Sequence, residues 1–351
     1  AAVAIAWAGQ CIAASADDLP PAPQAITWLY TANLPKAEAF AGGLGLSRAF
    51  AGGHTAWPDC SVWEAPGSGH AFFLGVCANG RTPPTSLGEA AVTVTLVMSS
   101  RDGVDAWHRL LAAAPRVNAT QPAYSKAYDV YAFNFYDVDA EGLGNYRFEV
   151  QVFEDPSWPP PRVMSLGDGH VEVATPSTPQ QVTWFYTADL GAADKWMTGP
   201  LGFTLVLTQT TCKIYWPTGS KMGSWFLGVC NSRPPPQAAY APVTYSVITQ
   251  NKSEVQTWHD FLTRSAIAGA IDADKPAEVT KYNVYGFDFY DSAPEILGKY
   301  RFNVQTFNDP GWPPFDPPKA KCGEHCDTDS DCDQSQPCNR CERFILHQCV
   351  T

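Results

Sequence analysis

Two histidines stand where acid–base or metal chemistry is conceivable: His108 in DAWHRLL and His259 in QTWHDFL, each directly after a tryptophan. An imidazole can move a proton near neutral pH or ligate a metal. Both sit beside a helix aromatic suited to a core, so each is read as a helix-edge residue with a solvent or backbone partner. The acidic run DTDSDCD at 327–333 has the look of a calcium loop. Cys332 stands where that loop needs glycine and Cys338 where it needs glutamate, so the run is not read as one. The chain has no nucleophile elbow, P-loop or His-Glu-x-x-His motif. No catalytic residue, metal ligand or cofactor is assigned from the residues alone.

The eleven cysteines carry more information. Cys60 and Cys77 bracket SVWEAPGSGHAFFLGV, and Cys212 and Cys230 bracket KIYWPTGSKMGSWFLGV. Each pair flanks a turn-rich centre between strand-like arms, which predicts a bridge across a β-hairpin that contributes ~3 kcal/mol in the chain-entropy model. Six more crowd into Cys322–Cys349 as C-x3-C-x5-C-x5-C-x2-C-x7-C. Such density points to an oxidising compartment. Two sequons, Asn118 in NAT and Asn251 in NKS, agree with a secreted or cell-surface glycoprotein. The net charge of -12, with only 23 Lys and Arg, excludes nucleic acid and anionic membrane surfaces as partners. No apolar run reaches the ~18–20 residues of a membrane span.

These residues are positioned by a duplicated chain. ITWLYTANL at 26–34 returns as VTWFYTADL at 182–190, FLGVC occurs at 73–77 and 226–230, and YAFNFYDVDAEGLGNYRFEVQVFEDPSWPP is matched by YGFDFYDSAPEILGKYRFNVQTFNDPGWPP. The repeat covers nearly all of 25–160 and 181–314. Within each copy an alternating strand precedes a helix and short strands, and the order then repeats, giving two βαβββ units per copy. An aromatic recurs on every predicted helix (Phe40, Trp107, Trp196, Trp258) and is read as the anchor that packs the helix onto its sheet.

This pattern resembles the vicinal oxygen chelate superfamily of glyoxalase I, bleomycin-resistance proteins and extradiol dioxygenases, with FYTADLGAADKWMTGPLGF matching its opening strand, Asp-Leu turn and helix. The resemblance covers both copies. It implies an α+β fold of two tandem modules of paired βαβββ units, each with curved sheets around a cleft. It also implies a divalent-metal site built from a first-strand His and a closing-strand Glu. Here the His positions fall on Ile26 and Val182, with Thr93 and Thr244 in the second halves; the closing strand has Glu149 in copy one and Asn303 in copy two. A lone Glu does not make such a site, so none is expected. The tail resembles the potato carboxypeptidase inhibitor knottin, which implies pairing of Cys322 with Cys338, Cys326 with Cys341 and Cys332 with Cys349. That pairing leaves Cys11 alone.

The expected organisation is therefore an apolar N-terminal segment at 1–24, module one at 25–160, a linker at 161–180, module two at 181–314, and a Pro-rich linker with the knottin-like tail at 315–351. The segment AAVAIAW alternates Val3, Ile5 and Trp7 with alanines. It reads either as residual signal peptide or as a strand that pairs with the sheet edge of a neighbouring copy, with Cys11 able to lock that contact covalently. The second reading predicts a head-to-tail homopolymer. Three functions follow: a non-enzymatic extracellular assembly or matrix subunit, a small-molecule or glycan-binding protein using aromatic clefts, and a secreted enzyme with an atypical site. The first is the primary expectation.

Overall fold

The computed structural model describes residues 20–49, 57–160, 176–217, 223–236, 241–264, 269–314, 340–342 and 348–350. Four units follow one another. The first holds β1 (Gln24–Tyr30), α1 (Leu34–Gly43), β2 (Ser47–Arg48), β3 (Cys60–Glu64) and β4 (Phe72–Cys77). The second holds β5 (Val92–Val97), α2 (Arg101–Ala112), β6 (Val117–Ala119), β7 (Ala123–Ser125), β8 (Val130–Asp137) and β9 (Arg147–Phe153). The third comprises β10 (Gln180–Tyr186), α3 (Leu190–Thr198), β11 (Thr204–Thr208), β12 (Cys212–Trp216) and β13 (Trp225–Cys230). The fourth comprises β14 (Val243–Ile248), α4 (Lys252–Arg264), β15 (Ile271–Ala273), β16 (Ala277–Val279), β17 (Val284–Asp291) and β18 (Arg301–Phe307). A short ribbon pairs β19 (Arg340–Glu342) with β20 (Gln348–Val350). This is the α+β fold of tandem βαβββ units expected from the repeat.

Each helix starts where a short polar side chain accepts a backbone N–H three residues on: Asn33 from Lys36, Ser100 from Gly103, Asp189 from Ala192 and Asn251 from Glu254. The four anchors Phe40, Trp107, Trp196 and Trp258 are all buried. Phe40 meets Phe148 of β9, and Trp196 meets Phe302 of β18, with ring centroids 5.5 and 5.4 Å apart. The first helix of a copy therefore packs on the closing strand of the same copy, and one continuous core runs between the two sheets.

The sheets do not follow the copies. One runs β15-β17-β18-β14-β1-β4-β3-β2 and the other β11-β12-β13-β10-β5-β9-β8-β6. β1 pairs antiparallel with β14, and β10 with β5. The expectation of a cleft inside each copy is thus corrected: each curved sheet joins one unit from each copy, so each cleft is shared. The physical reason is equivalence. All four first strands are alternating and apolar, and an open edge of one fits any other. The DPSWPP and DPGWPP segments latch the exchange. Trp158 stacks on Phe153 and donates to Gln180 (2.9 Å), while Trp312 stacks on Phe307 and donates to Gln24 (2.8 Å).

Both predicted hairpin bridges are formed: Cys60 with Cys77 and Cys212 with Cys230, each pair directly opposite in register. Cys341 and Cys349 are register partners in the β19–β20 ribbon. Cys322, Cys326, Cys332 and Cys338 lie outside the described residues, as do Val3, Ile5, Trp7 and Cys11. Among the described residues no helix is long and apolar enough to cross a membrane. These features are compatible with an extracellular protein.

Candidate functional site

Each sheet curves around a cleft whose floor is laid by equivalent residues. Cleft A, on the first sheet, has a volume of about 290 Å³, and cleft B, on the second, about 270 Å³. Alternation along β1 puts Ile26, Trp28 and Tyr30 on the concave face, and along β10 Val182, Trp184 and Tyr186. The indoles lie flat across neighbouring strands. Trp28 Nε1 donates to Ser246 Oγ on β14 (3.0 Å) and Trp184 Nε1 to Thr95 Oγ1 on β5 (2.9 Å). On the other side each ring covers a glycine of FLGVC: a Cβ on Gly75 would come within 2.1 Å of Trp28 Cε3, and one on Gly228 within 2.1 Å of Trp184 Cε3. The repeated motif is explained on both counts, since its glycine admits the indole and its cysteine closes the hairpin. The phenols are tied down as well, Tyr30 to Thr244 and Tyr186 to Thr93 at 2.7 Å each. Arg81 stacks over Tyr30 and Arg233 over Tyr186.

The polar half of each floor comes from the closing strand. In cleft A, Arg301 and Asn303 of β18 both contact Asp288 of β17. Burial pushes the Asp288 carboxyl up to about 6, against the opposing hydrogen bond from Asn303. In cleft B the acid has changed strands: Glu149 of β9 stands at the Asn303 position and Asn134 of β8 at the Asp288 position. Glu149 accepts from Thr95 Oγ1 (2.9 Å), and burial pushes its carboxyl up to about 7. Its neighbour Arg147 turns away, donating Nε to the Leu87 carbonyl (3.2 Å).

The row across cleft A at Ile26 runs Ile26, Ser246, Asn303, and in cleft B Val182, Thr95, Glu149; strand register thus puts Ser246 and Thr95 in these rows in place of the expected Thr244 and Thr93, which lie two residues away opposite Trp28 and Trp184. Ile26 and Val182 are fully buried in apolar clusters. An apolar side chain, an alcohol or amide, and at most one carboxylate do not fit a divalent transition ion, which needs several converging lone-pair donors. Among the described residues no group of three His, Cys, Asp or Glu is placed to hold a metal.

The two helix histidines lie away from both clefts. Each packs edge-on against a strand phenylalanine, His108 on Phe133 and His259 on Phe287, at 5.2 Å in both cases. Both are half-buried at the helix edge, as expected; His108 Nε2 is buried without a hydrogen bond, and His259 Nδ1 lies 3.7 Å from Asp260 Oδ1. Asn118, on β6, and Asn251, at the start of α4, are both exposed. Sequence reasoning missed the floor residues Trp28, Trp184, Asp288 and Gln151. The signal for the tryptophans was present in the repeat, as TW-x-Y at the same place in both copies.

No family model matches the chain, and no curated protein matches it. Solved structures do share its fold. A candidate dioxygenase from Bacillus subtilis superposes with a TM-score of 0.53 at 11% identity, covering 83% of this chain and 87% of that one. The V278E variant of glyoxalase I from Zea mays gives a TM-score of 0.52 at 12% identity, covering 80% and 91%. These neighbours are vicinal oxygen chelate proteins, and the likeness at such identities is one of fold.

Proposed function

We propose that the chain is a secreted, metal-independent binding protein whose two shared clefts hold small molecules without turning them over. The observation that carries this reading is the substitution pattern at the cleft centre. Where the resemblance implies metal donors stand Ile26 and Val182, next to a flat indole and separated by one strand from the unpartnered Asn303 Oδ1 and Gln151 Nε2. Such a floor suits recognition: an apolar platform that supplies contact area, with a few fixed polar groups that set orientation. The cross-strand disulfides and the exposed sequon asparagines support export. The test is metal analysis of protein purified without chelators, together with glyoxalase and ring-cleaving dioxygenase assays. The expected result is no stoichiometric transition metal and no turnover. One metal per cleft, or turnover abolished by a chelator, overturns the reading.

A second reading, self-assembly into a head-to-tail homopolymer, draws on the sheet edges. β11 is an edge strand of five residues with Leu205 39% exposed, whereas the equivalent edge β2 has two. An open strand of that length can accept an added strand, and the alternating segment with Val3, Ile5 and Trp7 is the proposed donor, with Cys11 as its covalent lock. Native mass measurement of full-length protein and of protein lacking residues 1–16 decides it: assembly lost on deletion supports this reading, and assembly retained refutes it.

A further inference from the structure

Cleft B is divided by strand into two unlike halves. The β10 half is a platform, Trp184 held flat by its bond to Thr95 and by the bare backbone of Gly228. On the β9 half, Glu149 and Gln151 are two residues apart on one face, hence roughly 7 Å from each other. Gln151 is 3% exposed, lines the cavity, and its Nε2 has no hydrogen-bond partner. Nη1 of Arg233, whose guanidinium is fixed 5.5 Å above the Tyr186 ring, is also buried without a partner. Buried donors without acceptors destabilise a fold, so two in one cavity call for an acceptor from elsewhere. The Glu149 carboxyl, given one bond by Thr95, retains capacity on the same side.

Few chemistries meet all of these at once. A hydrocarbon would cover the indole and leave both donors empty. A simple anion would fill the donors and leave the indole face uncovered. Hydroxyls both accept and donate, and a ring carrying adjacent hydroxyls on its edge and C–H bonds on its face matches platform, donors and acid together. We infer that cleft B binds a pyranose sugar ring, its C–H face stacked on Trp184 and its vicinal hydroxyls bonded to Gln151, Arg233 and Glu149. A cavity of about 270 Å³ is at the small end for ligand sites, which suits one ring over an extended chain. In cleft A the corresponding acid, Asp288, is already engaged by Arg301 and Asn303, so cleft B is the stronger site.

This inference rests on the ligand-binding reading above, and the test separates the two. Calorimetric titration of the full chain with D-galactose, D-glucose, D-mannose and L-arabinose, and separately with anilinonaphthalene sulfonate, is compared for the native protein and Gln151→Met. The Gln151→Met change removes a donor that is unpartnered in the free protein, so its unfolding temperature is expected to hold or rise while affinity for the bound sugar falls at least tenfold. Sugar binding that is unchanged in Gln151→Met overturns the assignment to cleft B. Binding of the sulfonate probe with none of the four sugars overturns the sugar and leaves the ligand-binding reading standing. Binding of neither overturns both.

Discussion

Burial raises the carboxyl on the floor of each cleft, to about 6 at Asp288 and about 7 at Glu149, although their neighbours differ. Asp288 lies against Arg301 and Asn303, while Glu149, whose own arginine neighbour has turned to a backbone carbonyl, keeps a single neutral donor in Thr95. Desolvation dominates at both, and it holds the Glu149 carboxyl near 7, against the ordinary 4.5. The sign of the consequence follows from proton counting. Between those values the folded protein keeps the proton and the unfolded chain has lost it, so stability falls as pH rises through this window and levels off above it. Complete burial would make the loss ~3 kcal/mol; because the group lines an open cavity, about 1–2 kcal/mol is expected. Glu149→Gln keeps the acceptor for Thr95 and removes the titration. Urea midpoints measured across this pH window should slope downward for the native chain more steeply than for the variant, and equal slopes would show that Glu149 is not the group concerned.

At the scale of elements, the β-hairpins and the strands beside them are coupled through one glycine each. β13 must present Gly228 under the indole of Trp184, just as β4 presents Gly75 under Trp28, and the neighbouring Cys230 or Cys77 then ties the hairpin two residues on. A methyl at Gly228 has no room, and the indole has no other flat position that keeps its bond to Thr95. Gly228→Ala is expected to destabilise the protein by about 1–3 kcal/mol, the range for overpacking a filled site, and to change the near-ultraviolet dichroism of the tryptophans. Normal stability with unchanged tryptophan signals would mean the ring sits elsewhere. The helices show the opposite behaviour: their caps and their single large anchors are local features, repeated four times, and each works without reference to the others.

At the scale of the molecule, the decisive feature is that two copies are interleaved instead of placed side by side. Tyr146 of copy one sits where the copies meet: its hydroxyl accepts the Tyr30 N–H (2.9 Å) and lies 2.8 Å from the Pro242 carbonyl of copy two. Tyr300 does the same between Tyr186 and Ala91. Thr27 and Thr183, equivalent residues of β1 and β10, touch at 2.7 Å where the two sheets meet. Cutting the chain in the linker should therefore leave neither half complete. Fragments 20–160 and 176–314, expressed apart, are expected to be unfolded, aggregated or dimeric, and to recover native dichroism with one-to-one stoichiometry when refolded together. Two independent, cooperatively folded monomers would contradict the exchanged topology.

The sequence by itself determined what depends on neighbours along the chain. The order of strands and helices, the four buried helix anchors and the two hairpin disulfides rest on periodicities and spacings of fewer than twenty residues, where backbone geometry leaves little choice, and the duplication is legible by matching 25–160 to 181–314. Ile26 and Val182 likewise argued against a metal without any coordinates, because an apolar side chain offers no lone pair wherever it lies. Only the tertiary structure decided which units share a sheet, and hence that Trp28 faces Asn303 and Asp288 from the far copy while Trp184 faces Glu149 and Gln151. Four homologous units present nearly identical strand edges, so strand pairing alone scarcely discriminates among partners. The choice is made by contacts that no local pattern reveals: Trp158 on Gln180, Trp312 on Gln24, and the buried hydroxyls of Tyr146 and Tyr300 between the copies.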